Sequence, residues 1–340
     1  MKGTIKLLVV DDSLLMQKIL ADILQSDPQI SVIGTARDGE EALQKIASLH
    51  PDIVTLDIEM PRMDGLTAVK KIMATNPLPV VMVSALAQRE AKLTLKALEL
   101  GAVDYIPKPS GPISLNMNAV KTELITKIKT AASANIRRTK PHSAQRIKPS
   151  KAKNCDKIVS VAASTGGPAA VAYILKHIPE NAPPILIVQH MQKGMTKLFA
   201  EGLNQECKLK VKEAEEGDAV QQGLALVAPG GFHMVLTKTG KINLTTTPPV
   251  NYVRPSADVT MNSAAKTYAA KNIGVILTGM GADGAKGIEA IKKKGGVTIA
   301  QDKRTCAVFG MPQAAIKTGS VDLVKPLESI PKEIMIACED

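Results

Sequence analysis

Short apolar runs alternating with amphipathic stretches constrain this chain more than any other feature. In the first 131 residues the runs are KLLVV (6–10), SVIG (31–34), DIVTL (52–56), PVVMVSA (79–85) and VDYI (103–106). Stretches 14–25, 39–49, 65–75, 88–100 and 114–131 carry apolar residues at helical intervals between and after them. Five such βα units bury their apolar surface by laying helices on both faces of a parallel sheet. The spacing predicts a flavodoxin-like, doubly wound α/β domain over 1–131. After Asn154 the pattern restarts with KIVSVAAS (157–164), PPILIVQH (183–190), GLALVAPG (223–230), NIGVILTGM (272–280) and SVDLV (320–324). Helical stretches are expected at 168–178, 194–204, 258–271, 284–294 and 312–318. A second, mostly parallel and doubly wound α/β domain is therefore expected over 154–340. MVLTKTGKINLTTT (234–247) alternates about Thr239-Gly240 and predicts an appended β-hairpin.

Between the two patterns, 132–153 lacks a regular apolar period and is rich in Lys, Arg, Ser and Pro, as a flexible linker is. This stretch decides how the net charge of +11 is read. Residues 121–153 hold ten Lys or Arg against one Glu, a local charge of +9, and the rest of the chain is near neutral. A basic connector is a weaker sign of nucleic-acid binding than a basic folded face, so no nucleic-acid partner is expected. Aromatics are scarce, with three Phe, four Tyr and no Trp, which leaves few platforms for stacking bases. Cys155, Cys207, Cys306 and Cys338 lie far apart without a CxxC pair, as reduced thiols of a cytoplasmic protein do, and a zinc site is disfavoured. MKGTIKLLVVDD reaches acidic residues after one short apolar run, unlike a signal peptide, and no stretch approaches the roughly 18 apolar residues of a membrane span.

In the first domain the polar residues gather where strands should end. Asp11 and Asp12 follow the first run, Asp57 the third, Ser84 ends the fourth, and Lys108 follows the fifth. Parallel strands bring all five to one sheet edge. Three carboxylates repel one another unless a cation joins them, and hard oxygen ligands suit Mg²⁺. A single Asp at a strand end is ordinarily a helix cap; three, with a Ser and a Lys at matching ends, are more than caps.

In the second domain, IVSVAASTGGP (158–168) reads as a fully buried strand ending at Ser164, then a glycine turn and a Pro suited to the first turn of a helix. Ser164 is thus expected at the carboxyl edge, facing a helix N-terminus. Of five histidines, His190 ends a strand one βαβ unit further on, where adjacent strands would place it beside Ser164. His233, in APGGFHM, is the second choice. A histidine base needs a carboxylate to orient it. Asp283, in the glycine-rich loop LTGMGADGA, is favoured over Asp258, for which a helix-cap role suffices. No GxSxG elbow is present, which disfavours the α/β-hydrolase family.

Two resemblances draw these residues together. DD at 11–12, TLDIEMPRMDG at 55–65, Ser84-Ala85 and Lys108-Pro109 resemble a response-regulator receiver domain. The resemblance implies that Asp57 accepts phosphate from a chemotaxis histidine kinase, with Asp11, Asp12 and Asp57 holding Mg²⁺. It further implies that Ser84 and Lys108 engage the phosphoryl group and that Tyr105 occupies the aromatic switch position. ASTGGP (163–168), QHM (189–191), APGG (228–231), RPSAD (254–258) and TGMGADG (278–284) resemble the catalytic domain of the chemotaxis methylesterase, the CheB family. By that resemblance Ser164 is the nucleophile, His190 the base and Asp283 its orienter. Met280 supplies a backbone donor to the oxyanion hole, Thr165 and Gly167 line the same pocket, and Arg254 is a substrate contact. The implied activity is hydrolysis of γ-glutamyl methyl esters on chemoreceptors, with deamidation of receptor glutamines and no cofactor for the ester chemistry. Phosphorylation would relieve a restraint on the Ser164 edge. The resemblance further implies a cytoplasmic monomer that meets the membrane through its receptors only.

Overall fold

The computed structural model describes residues 3–85, 87–108, 117–136 and 156–339. The chain divides into two compact units, Met1–Thr139 and Lys140–Asp340.

The first unit runs β1 (Ile5–Val10), α1 (Leu14–Gln25), β2 (Ile30–Ala36), α2 (Gly39–Leu49), β3 (Ile53–Asp57), α3 (Gly65–Thr75), β4 (Val80–Ser84), α4 (Gln88–Glu99), β5 (Asp104–Pro107) and α5 (Met117–Ala132). Its five strands are parallel in the order β2-β1-β3-β4-β5, the flavodoxin-like arrangement the spacing predicts. β3 and β4 are buried at every position, which is why their sequences are unbroken apolar runs rather than alternating ones. Ser13, Asp38 and Asp64 cap α1, α2 and α3 with their side-chain oxygens. Ala134 and Ile136 still pack against the core formed by Leu7, Val9, Leu124 and Ile128, so the chain stays with this unit a few residues beyond α5. Most of the expected linker, 137–153, and with it His142, lies outside the described residues, as do Pro109 and Cys155.

The second unit holds β6 (Ile158–Ala163), α6 (Gly167–His177), β7 (Ile185–Gln189), α7 (Met195–Glu206), β8 (Lys210–Glu213), β9 (Leu224–Val227), β10 (His233–Leu236), β11 (Ile242–Thr245), α8 (Ala257–Tyr268), β12 (Asn272–Ile276), α9 (Ala285–Lys293), β13 (Val297–Gln301), α10 (Met311–Lys317), β14 (Leu323–Lys325) and α11 (Ile330–Glu339). Seven strands form one parallel sheet, β14-β13-β12-β6-β7-β9-β8. The expected hairpin is β10–β11, an antiparallel pair outside that sheet, with His233 opposite Thr245. β8, β13 and α11 were not anticipated. β8 is a sheet-edge strand with three charged residues in four, a composition that guards an edge but hides the strand from an apolar search.

From β6 the chain builds outward through β7 and β9 on one side, then returns to β12 and builds outward on the other. The order therefore reverses between β6 and β12. The carboxyl ends at such a reversal splay apart into a crevice, where ligands of open α/β sheets bind.

Candidate active site

Ser164 sits at that reversal. β6 and β7 run in register with Ala163 opposite Gln189, so the next pair is Ser164 and His190. The backbone of Ser164 is held from the other flank, where its N–H donates to Thr278 O after β12 at 3.0 Å. Gly167 N–H donates to Ser164 O at 2.7 Å and closes the turn into α6, which spends the donor that Gly167 could have aimed at a substrate. The task the structure gives Gly167 is room: a Cβ there would collide with Gln189 Oε1. Gly279 gives room likewise, since an added Cβ would stand 2.8 Å from Ser164 Cβ. The buried Gln189 amide donates to the carbonyls of Ser164 (3.0 Å) and His190 (3.3 Å) and so ties the two strand ends together.

His190 Nε2 lies 2.8 Å from Asp283 Oδ2. With that nitrogen donating to the carboxylate, Nδ1 is the atom left for proton exchange. No hydrogen bond joins Ser164 Oγ to His190 among the described residues; apo enzymes often tighten this contact only with substrate. Asp283 is almost wholly buried and accepts from four further donors: Asn251 Nδ2 (2.9 Å), Ser256 Oγ (2.6 Å), Ala257 N (2.6 Å) and Asp258 N (3.3 Å). Burial opposes its ionisation, but the His190, Ser256 and Ala257 bonds outweigh it and hold the carboxyl down at about 2. The last two donors belong to the first turn of α8, whose own cap residue, Ser256, makes no side-chain cap bond. Asp283 thus caps α8 from another loop while orienting His190.

His233, the second-choice base, is elsewhere engaged. It is fully buried, its Nδ1 accepts Ser256 N–H and its Nε2 faces Pro248 O, both at 3.2 Å. Asp258 accepts Gly287 N–H and an Asn251 amide hydrogen instead of meeting a histidine. Burial raises its carboxyl, the Gly287 bond works against this, and the Asp283 charge adds to it. Thr165 is buried, with its carbonyl accepting the Thr278 hydroxyl at 2.9 Å, and Met280 stands partly exposed beside Gly279. Arg254 spends Nη1 on the carbonyls of Thr246 and Thr247 and so ties that loop in place. Asn251, Ser256 and Gln189 were not foreseen as parts of this site. Ser256 stood inside the quoted RPSAD stretch and Gln189 inside QHM, whereas nothing local marks Asn251.

At the other sheet edge, in the first unit, one carboxylate oxygen from each of Asp11, Asp12 and Asp57 lies within 4.8 Å of the others. Lys108 Nζ is 2.7 Å from Asp57 Oδ2 and 3.1 Å from Asp11 Oδ2, yet the buried Asp11 Oδ2 accepts no aligned hydrogen bond. Burial pushes the Asp57 carboxyl up to about 6, against the pull of Lys108. A buried oxygen with an ion-pair neighbour but no aligned hydrogen bond, and a carboxylate made reluctant to ionise, are what a divalent cation would relieve, so these residues fit Mg²⁺. Ser84 Oγ donates to Ala85 O at 2.9 Å and lies 3.3 Å from Glu90 Oε2. Tyr105 is buried, with Lys127 Nζ on its carbonyl at 2.9 Å and 5.0 Å from its ring centroid.

Residues 159–334 match the family model for CheB methylesterase, and residues 7–119 that for the response regulator receiver domain. A protein-glutamate methylesterase/protein-glutamine glutaminase of Pyrococcus horikoshii is 51% identical, over 98% of this chain and 94% of its own length. The chain belongs to the CheB methylesterase family. A Symbiobacterium thermophilum member of the same name is 45% identical over 96% of this chain and 95% of its own length. The crystal structure of the Thermotoga maritima CheB methylesterase catalytic domain is 46% identical, covers 53% of this chain and 97% of that one, and superposes with a TM-score of 0.52. In this CheB chain the methylesterase match runs from β6 into α11 and takes in every strand end described above; the receiver match takes in the acidic cluster, Ser84 and Lys108. No helix among the described residues is long and apolar enough to cross a membrane.

Proposed function

We propose that this chain is a phosphorylation-activated protein-glutamate methylesterase that also deamidates glutamine, acting on chemoreceptors in chemotaxis adaptation. The observation that carries the reading is the His190–Asp283 pair held opposite Ser164 at the sheet reversal. Ser164 Oγ attacks the γ-carbonyl of an esterified glutamate while His190 Nδ1 takes its proton. The buried Asp283 carboxylate stabilises the imidazolium. The tetrahedral intermediate collapses as His190 returns the proton to the leaving methoxide, releasing methanol and an acyl-enzyme. Water, deprotonated by His190, then cleaves the acyl bond and leaves glutamate with a regenerated serine. A glutamine side chain follows the same path with ammonia as the leaving group. Met280 is the proposed backbone donor to the oxyanion, a contribution worth about 3–4 kcal/mol for one such donor. Thr165 shapes the same pocket.

Asp57 is the proposed phosphoacceptor, served by a chemotaxis histidine kinase. Mg²⁺ held by Asp11, Asp12 and Asp57 would supply positive charge against the carboxylates and the incoming phosphoryl group. Lys108 would pair with that group, Ser84 would turn its hydroxyl toward it, and Tyr105 would report the change. The esterase chemistry itself calls for no cofactor, and the protein would work in the cytoplasm as a monomer.

Methanol release from methylated receptor membranes tests the reading. Release should rise when Mg²⁺ and a small phosphodonor are added and vanish in Ser164→Ala. Release that ignores the donor would remove the regulation, and no release at all would overturn the function.

A further inference from the structure

Two of the large apolar side chains left exposed in the second unit are rooted in the loops that build the active site. Met280, 40% exposed, follows Gly279, which is pressed against Ser164. Tyr252, fully exposed, follows Asn251, whose amide bonds Asp283 and Asp258 at 2.9 Å each. The chain holds only three Phe and four Tyr, and a solitary exposed ring would ordinarily need no explanation. The backbone beneath this one does. Val250 and Val253 exchange N–H···O bonds in both directions, at 3.2 and 3.0 Å, closing a two-residue turn. Asn251 and Tyr252 both adopt the left-handed region, with φ of 53° and 65°. Such turns favour Asn at the first central position and Gly at the second. A tyrosine in the second place is strained and gains no burial to offset the strain. The far side of the turn is fixed as well, because Arg254 O accepts Gly231 N–H and the Arg254 guanidinium grips two carbonyls. The root of the ring is therefore held at a set position relative to Asp283.

We propose that Tyr252 is a docking contact for the protein substrate, meeting apolar residues that flank the modified glutamate, while the Met280 side chain meets the same segment beside Ser164. The proposal rests on the methylesterase reading and deepens it. A protein segment that delivers a side-chain ester to Ser164 must lay its neighbouring residues over the rim of the site; a small ester need not. Tyrosine is suited to such a rim, because it offers a large amphipathic surface with only two side-chain torsions to immobilise.

The test compares two substrates, methylated receptor membranes and a small soluble γ-glutamyl methyl ester, using the full chain with Mg²⁺ and a phosphodonor. Tyr252→Asn keeps a residue that tolerates the left-handed turn and removes the ring. It should lower kcat/KM on receptors about tenfold, through KM, and leave the small ester within about twofold. Tyr252→Phe should restore the receptor activity. Tyr252→Gly, which suits the turn better still, should match Tyr252→Asn with a thermal midpoint at or above that of the unaltered protein. Equal losses on both substrates would overturn the proposal, because the residue would then act through Asp283. Unchanged receptor kinetics in both ring-less variants would overturn it as well. Should the unaltered protein cleave the small ester and ignore receptors, the substrate reading itself falls and takes this contact with it.

Discussion

Asp283 and Asp57 are both buried aspartates at the carboxyl edge of a parallel sheet, and their carboxyls move in opposite directions. Asp283 is held at about 2 and Asp57 is pushed up to about 6. Burial opposes the charge in both, so burial does not separate them. Donors do. Asp283 accepts from a histidine, an amide, a hydroxyl and two backbone N–H groups. Asp57 has Lys108 and the N–H of Ile58, and faces the charge of Asp11. One carboxylate is complete and orients a neighbour; the other is left short of partners and suited to acquire them.

Replacing Asp283 with Asn should break the contrast most severely. The amide cannot stabilise an imidazolium, and kcat for methanol release should fall about four orders of magnitude with little change in KM. A loss under tenfold would mean that His190 needs no carboxylate. Asp57→Asn should have the opposite character. Basal release persists, stimulation by the phosphodonor disappears, and the first unit becomes more resistant to urea at pH 7 by at most about 3 kcal/mol without Mg²⁺. A less resistant variant would show that the Lys108 ion pair outweighs the burial of the charge.

The two pH responses should then differ in sign. For Asp57 the folded value lies above the unfolded one, so its own contribution to the stability of the first unit declines as pH rises from about 4 to 6 and is flat beyond. For Asp283 the folded value lies below, so its contribution of about 2 kcal/mol to the second unit is present above pH 4 and is lost as pH falls toward 2. Calorimetry across that range, with the two transitions assigned by Asp57→Asn and Asp283→Asn, would expose a common sign if the contrast is false. The mildest change is Ser256→Ala, which removes one of the Asp283 donors. It should cost about 1 kcal/mol of stability and less than tenfold in activity, read by urea unfolding and methanol release.

What the sequence disclosed follows from where each constraint resides. The receiver was legible nearly residue by residue because its strands are continuous apolar runs and its helices carry periodic faces; α1, α2 and α3 fall where the periodicity puts them. Ser164 and His190 were legible because β6 and β7 are consecutive in the chain and adjacent in the sheet. The pairing of Asp283 with His190 spans 93 residues, and spacing alone left Asp258 and His233 as competitors. Asn251 was invisible for a further reason: its role depends on a turn whose second residue, Tyr252, carries none of the usual turn chemistry. β13 and α11 are largely buried, but each is a short stretch beside stronger apolar runs and carries less signal of its own.

Because Asp283 caps α8 with the same carboxylate that orients His190, seating that helix and arming the hydrolase are one event. A copy whose α8 has not yet docked would hold its serine beside an undirected imidazole. Damage that loosens α8 would then weaken the hydrolysis together with the fold, through one shared carboxylate.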